Sequence, residues 1–303
     1  MILTVIGCTG SFAGPDSPAS CYLLTGTDHE GRTWRVLMDL GNGSLGALQR
    51  HIELSEIDAV LISHLHPDHC VDLAGLHVAV KWDPRGWEAG PVPVWGPAGM
   101  MDYMEAAHVL DSAETIENEF TIGQWEDGRA VEIGPFRITP HRVEHPVEDP
   151  FALRVEYDGA DGSSVLTYSG DSDACEGLTE AARNADLFLC EAAYHEGRDA
   201  YRGIHLTGLR AGQTADDADA DELMLTHLPV WNSVDTATAE ARRRRPAQPR
   251  RLHIPHKNSC QRAYRKRWQL FVYKQTSAPG RRSDAAGSPG FRFRVPNSVL
   301  RTR

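Results

Sequence analysis

The 303 residues, 41% hydrophobic and 24% charged, carry a formal net charge of −11. A chain of that size and apolar content buries a sizeable core, in one large domain or two small ones, and reads as globular. The charge is divided: residues 241–303 hold 18 of the 31 Lys and Arg but one of the 42 Asp and Glu, so they are about +17 against about −28 for the rest. An acidic body repels a polyanion except at a local cationic site, which argues against a broad nucleic-acid footprint on residues 1–240. The basic segment leaves nucleic acid open as a partner through that segment alone. Ile2 to Ile6 is too short to span a bilayer, and no cleavage-site pattern follows a basic leader, so no membrane partner and a cytoplasmic location are expected. The six cysteines, at 8, 21, 70, 175, 190 and 260, form no CxxC pair and no regular spacing. They are expected to be buried or idle thiols rather than a disulfide framework or a cysteine zinc site.

Short apolar runs alternate with helical patterns. Ile2 to Ile6, Ser20 to Leu24 and Val36 to Leu40 read as strands, and Ser44 to Ile52 as a helix with Leu45, Leu48 and Ile52 on one face. Ala59 to Ser63 is a buried strand that runs into Ser63-His64-Leu65-His66-Pro67-Asp68-His69-Cys70. Val71, Leu73, Leu76 and Val80 mark the next helix, which the Pro/Gly-rich segment Asp83 to Gly99 breaks around a strand at Val92 to Trp95. A helix is expected over Ala98 to His108. Strands follow at Ala130 to Ile133, Phe136 to Val143, Phe151 to Tyr157 and Ser164 to Ser169, with turns such as Ile133-Gly134-Pro135 and Asp158-Gly159. Glu176 to Ala185 is helical, Asp186 to Cys190 a strand, Gly208 to Asp219 a helix, and Glu222 to Thr226 a strand ending at His227. Beyond Glu240 the composition shifts to RRRRPAQPRR and QRAYRKRW. The organisation expected is thus a catalytic domain over 1–240 and a basic segment over 241–303, either a disordered tail or a C-terminus altered by a reading-frame change.

Three histidines and one aspartate within residues 64–69 are ligand types for zinc, manganese or iron. Later strand ends add His145 (RVEHPVE), Asp171 (YSGDSD) and His227 (LMLTHLP), each just after an apolar run and so at one rim of a sheet. A lone histidine is more often a hydrogen-bonded core or surface residue; the joint pattern points to a binuclear site. His77, His141 and His195 lack that context and are read as packed or solvated side chains.

The motif His64-Leu65-His66-Pro67-Asp68-His69 stands as the HxHxDH signature of the metallo-β-lactamase superfamily, which the chain resembles over residues 1 to about 235. The resemblance implies an α/β fold, the αββα sandwich of two mixed β-sheets flanked by helices. It implies two divalent ions, zinc foremost with Mn2+ or Fe2+ as alternatives, with His64, His66 and His145 on one, Asp68, His69 and His227 on the other, and Asp171 bridging. Such a pair activates water for hydrolysis. Superfamily members usually continue past the last histidine with a helix and a final strand, where this sequence turns basic.

The signature leaves the substrate open. GCTGSFAGPDSPASCYLL and LMDLGNGSLGALQRHI resemble the phosphodiesterase branch, which includes ribonuclease Z and bacterial cyclic-nucleotide phosphodiesterases; GPDSPAS and GALQRH are most similar to actinobacterial cyclic-AMP phosphodiesterases. His205-Leu206-Thr207-Gly208 is similar to that branch's histidine loop, making His205 the candidate general acid or phosphate ligand. Asp68 is a candidate proton acceptor besides being a ligand, Glu191 orients a ligand or His205, and Asp39 resembles the buried carboxylate of the family's DxG turn. The implied activity is hydrolysis of 3',5'-cyclic nucleotides, cyclic AMP foremost, with a small phosphodiester as partner and a homodimer as the branch's common assembly. The rivals are a tRNA 3' endonuclease, a hydrolase of lactones, lactams or thioesters, and a non-enzymatic scaffold.

Overall fold

Two-residue alternation along short apolar strands gives each sheet two faces that must both be covered. The computed structural model describes residues 1–108 and 116–243 and, as backbone, three short strands at 252–253, 262–265 and 271–272. The first sheet is built from β1 (Ile2–Gly7), β2 (Cys21–Thr27), β3 (Thr33–Met38), β4 (Ala59–Leu61), β5 (Val92–Gly96) and β6 (Phe120–Gln124) in chain order. The second is built from β7 (Val131–Ile133), β8 (Phe136–Arg142), β9 (Phe151–Gly159), β10 (Gly162–Tyr168), β11 (Leu187–Glu191) and β12 (Glu222–Thr226). Both are mixed: β1 to β3 pair antiparallel and β3 to β6 parallel, while β7 to β10 pair antiparallel and β10 to β12 parallel.

Helices α1 (Ser44–Leu48), α2 (Pro67–Cys70), α3 (Leu73–Trp82) and α4 (Met100–His108) belong to the first half of the chain, α5 (Glu176–Ala182), α6 (Gly208–Asp217) and α7 (Val234–Arg242) to the second. Three apolar layers follow from this order. The inner faces meet through Leu24, Val36 and Leu61 against Phe136, Val155 and Leu189. Alternate residues of the first sheet, such as Leu23, Leu37 and Val60, pack instead on Leu73, Leu76 and Met104 of the helices. On the far side Phe188, Cys190 and Leu225 pack on Leu178, Ala211 and Ala237. The result is the αββα sandwich. Among the described residues no helix is long and apolar enough to cross a membrane.

Several sequence expectations shift. The strand β6 was not foreseen, because Phe120-Thr121-Ile122-Gly123-Gln124 carries a glycine whose space is filled by the Trp95 ring, 2.5 Å from where a Cβ would stand. The helix α7 crosses residue 240, where the basic segment was expected to begin, and is capped by the Ser233 hydroxyl accepting from the Thr236 N–H. Within 241–303, β13 (Leu252–His253) pairs parallel with β12, and β14 (Arg262–Arg265) pairs with β1 and with β15 (Phe271–Val272). A helix and a strand therefore do follow the last histidine; the other readings of 241–303 fall outside the described residues. Cys21, Cys70 and Cys190 are buried free thiols and Cys175 is half-buried, whereas Cys8 is in a disulfide, against the expectation of idle thiols.

The packed inner layer sets a stability prediction. The Phe136 ring is fully buried, 5.5 Å from that of Tyr157, and both fill the space above Gly26. Phe136→Ala should cost about 3–5 kcal/mol, read as a lower midpoint of urea unfolding; an unmoved midpoint would mean the two sheets are not packed there.

Candidate metal centre

Strands β8, β10, β11 and β12 run in the same direction, so the loops after them open at one rim, and β3 and β4 deliver theirs to it from the other sheet. Asp39 follows β3, His64 follows β4, His145 follows β8, Asp171 follows β10, Glu191 ends β11 and His227 follows β12. Pro67 at the first position of α2 starts that short helix directly after His66, so its single turn carries Asp68 and His69.

Two tetrads result. His64, His66, His145 and Asp171 form one, Asp68, His69, Asp171 and His227 the other, with the ligand atoms of each group within 4.8 Å of one another. In the first, Nδ1 of His66 lies 3.1 Å from Nε2 of His64 and 3.2 Å from Nε2 of His145. In the second, Asp171 Oδ1 is 3.2 Å from His69 Nε2, and Asp171 Oδ2 is 3.2 Å from His227 Nε2. His64, His69, His227 and Asp171 are at most 2% exposed. The structure thus brings together all seven ligands proposed from the sequence and leaves His77, His141 and His195 outside both tetrads. His77 sits 3.4 Å from Glu119, and His195 Nε2 accepts from the Ser233 N–H.

The opposite edges of the rings fix which nitrogen faces inward. The Ser63 hydroxyl donates to Asp39 Oδ2 at 2.9 Å, so toward His64 Nδ1, 3.1 Å away, it accepts. His145 Nδ1–H donates to the Ile204 carbonyl at 2.7 Å. His69 Nδ1 donates to Asp39 Oδ2 at 2.6 Å, and Asp39 also accepts from the Ser63 N–H and the Tyr168 hydroxyl. Nε2 of His64 and His145 is therefore a lone pair, and with His66 Nδ1 these form a close set of nitrogens. One proton satisfies one such contact; a cation satisfies all of them. The buried His69 Nε2, Asp171 Oδ1 and His227 Nε2 have no hydrogen-bond partner among the described residues. Buried polar atoms left without partners on this scale are costly, and imidazole plus carboxylate is a donor set for zinc, manganese or iron. The residues fit divalent metal ions.

Protonation follows the same geometry. Burial lowers the proton affinity of His64, His66, His145 and His227, the state a ligand needs. Burial also works against a proton on His69, but Asp171 and Asp39 outweigh it and hold the imidazole well above its ordinary value. Asp68 is opposed by burial too, yet His69 and His227 pull it down to about 2, which favours a ligand over a proton acceptor. At the rim, His205 is raised to about 9: burial pulls it down, and the Glu191 carboxylate, hydrogen-bonded at 2.8 Å, prevails with help from Asp171, 3.9 Å away. Glu191 is itself fixed by the N–H groups of Ser172 and Ala193.

Two backbone positions are strained for the site. Asp39 and His227 adopt φ of 58° and 53°, a left-handed conformation that non-glycine residues adopt at a cost. Gly10 lies on His227 so closely that a Cβ would stand 2.5 Å from its carbonyl oxygen. Ser20, whose hydroxyl is 3.1 Å from His227 Nδ1, and Tyr168 escaped the sequence reading; neither carries a sequence signal, whereas Ser63 adjoins the histidine cluster.

A family model described as "Beta-lactamase superfamily domain" matches residues 34–228. An uncharacterized protein of Mycobacterium leprae (strain TN) is 40% identical over 245 residues, 79% of this chain and 82% of its own. The crystal structure of the metallo-beta-lactamase fold protein YhfI from Bacillus subtilis is similar with a TM-score of 0.71 at 27% identity, covering 84% of this chain and 95% of YhfI. A ribonuclease Z of Bacillus velezensis is 26% identical over 231 residues, 60% of this chain and 73% of its own.

Two outcomes check the centre. Asp39→Asn keeps the shape but withdraws one of the two charges, after that of Asp171, that make His69 basic, and should weaken metal binding in chelator competition by about 10–100-fold. Because Asp171 and Asp39 raise the proton affinity of His69 in the metal-free protein, metal binding should release a proton and tighten as pH rises; a calorimetric enthalpy independent of the buffer's ionisation heat would contradict this.

Proposed function

The chain belongs to the beta-lactamase superfamily, and from that premise we propose that it is a binuclear metal-dependent phosphodiesterase hydrolysing 3',5'-cyclic nucleotides, cyclic AMP foremost. That it is a metallo-hydrolase related to ribonuclease Z follows from the family match and the relatives. The observation that carries the finer reading is His205, whose ring lies 5.2 Å from that of His145 and 5.6 Å from that of His227, one from each tetrad, and whose Nδ1 is hydrogen-bonded to buried Glu191 at 2.8 Å, which raises its pKa to about 9 in the metal-free protein. A protonated imidazole beside two cation sites suits an anionic phosphoryl group with a departing alkoxide, rather than the neutral carbonyl of a lactam, lactone or thioester.

His64, His66, His145 and Asp171 would hold one ion, and Asp68, His69, His227 and Asp171 the other. Bound there, divalent ions supply an acidified water and charge stabilisation for in-line displacement at phosphorus. The protein's own groups do the rest. His205 hydrogen-bonds a phosphoryl oxygen and gives its proton to the leaving ribose oxygen. Glu191 keeps that proton in place until transfer and holds the ring in orientation, while Asp68 stays ionised as a ligand. The partner is a small phosphodiester, since an acidic body of about −28 over residues 1–240 disfavours a long polyanion.

Metal-loaded protein should convert 3',5'-cyclic AMP to 5'-AMP, with precursor tRNA assayed in parallel; cleavage of the tRNA alone would move the activity to RNA processing. His205→Ala should lower kcat by about 10²–10⁴-fold. The sign of the pH dependence follows from the proton: activity holds while His205 is protonated and falls as pH rises through about 9. Glu191→Gln removes the main support for that proton, so the alkaline limb should move to lower pH. A limb that stays in place would remove His205 from the acid role.

A further inference from the structure

Two loops meet beside His227. The first, between β1 and β2, is tied down by Thr9 N–H to the Pro18 carbonyl at 3.2 Å and Gly14 N–H to the Ser17 carbonyl at 2.8 Å. Its Gly10 rests on the backbone and ring of His227. The second, between β12 and α7, is tied by Leu228 N–H to the Cys8 carbonyl at 3.2 Å and by the Asn232 amide to the Ala193 carbonyl at 2.5 Å. From these anchored loops two aromatic rings stand in solvent: Phe12, 43% exposed, and Trp231, 59% exposed, with centroids 5.3 Å apart and planes inclined by 51°. Val230, 48% exposed, adjoins them and touches the space above Gly14. Phe12 is two residues from Gly10, a reach of at most ~7 Å, and Trp231 is four residues after His227, so both rings belong to segments that adjoin this metal-ligand candidate.

Exposed aromatics held by hydrogen-bonded loops next to a reaction centre offer π-faces on which a flat heterocycle can stack. The patch comprises three side chains, too small for a protein interface, and the acidic body disfavours a long nucleic acid. We propose that Phe12 and Trp231 form the platform on which the base of the substrate stacks while its phosphodiester lies at the metal centre. This rests on the phosphodiesterase reading and adds to it the residues that recognise the base, so that a nucleotide is favoured over any other small diester. A tilted, sequence-tolerant pair favours large purines by contact area without reading their edges.

The test uses metal-loaded, full-length protein with Phe12→Ala, Trp231→Ala and Trp231→Phe, whose melting temperatures should match the parent because both side chains are exposed. Three probes are used: cyclic AMP, an abasic ribose 3',5'-cyclic phosphate, and 5'-AMP binding by calorimetry. Either alanine variant should raise KM for cyclic AMP and weaken 5'-AMP binding about tenfold or more and leave turnover of the abasic diester unchanged, whereas Trp231→Phe should keep most of the affinity that Trp231→Ala loses. Unchanged KM and unchanged 5'-AMP affinity would overturn the platform while leaving the phosphodiesterase reading intact. An equal loss on the abasic diester would also overturn it, since the loops would then be supporting His227. If the parent hydrolyses no cyclic nucleotide but binds 5'-AMP in a Trp231-dependent way, the platform stands and the reaction assigned above falls. If it neither hydrolyses nor binds, both fall.

Discussion

Asp171 belongs to both ligand tetrads and is 2% exposed. A carboxylate in that position is tolerable only with positive charge around it. The imidazoles of His69, His227 and His64 pull its proton affinity far down against the effect of burial. Those imidazoles are in turn held by Asp39, Ser20 and Ser63, residues from the first sheet's side of the rim. The sandwich therefore closes around a polar centre that neither sheet could build alone. The apolar layer between the sheets supplies the rigidity that keeps ring nitrogens 3.1–3.2 Å apart.

The same dependence explains where backbone strain is concentrated. Asp39 and His227 both take left-handed φ angles, and each follows directly or nearly so from the end of a strand. A residue continuing in β conformation would carry its side chain along the strand; the left-handed step turns it at the rim. Such strain persists because surrounding bonds over-determine it. Asp39 accepts from Ser63, Tyr168 and His69 together, and His227 is pressed by Gly10.

The centre was legible in the sequence because ligand chemistry is written in residue identity. Four ligands in six residues and three more at strand exits identify one another, and strands such as Glu222–Thr226 end where their apolar runs end. The supporting groups were not legible. Nothing in Tyr168 or Ser20 distinguishes them from other core or loop residues until the fold brings them to Asp39 and His227. The strand β6 was hidden by a glycine that makes sense only beside the Trp95 ring. The helix α7 was overlooked because its alternating small residues, Ala237 and Ala241 inward, carry little hydrophobic signal beside the arginines that follow. Side chains that act by identity announce themselves, and those that act by position do not.

One feature of the ligand set bears on how the protein is made. His64, His66, Asp68 and His69 precede His227 by more than half the chain. Synthesis at about 5–20 residues per second separates the emergence of the first ligands from that of the last by on the order of ten seconds. During that interval the nascent chain displays a histidine cluster with no Asp171 or His227 to complete it. The full ligand set exists only once β10 and β12 have docked, because Asp171 and His227 follow those strands. Completion of the second sheet is therefore the step that closes both tetrads.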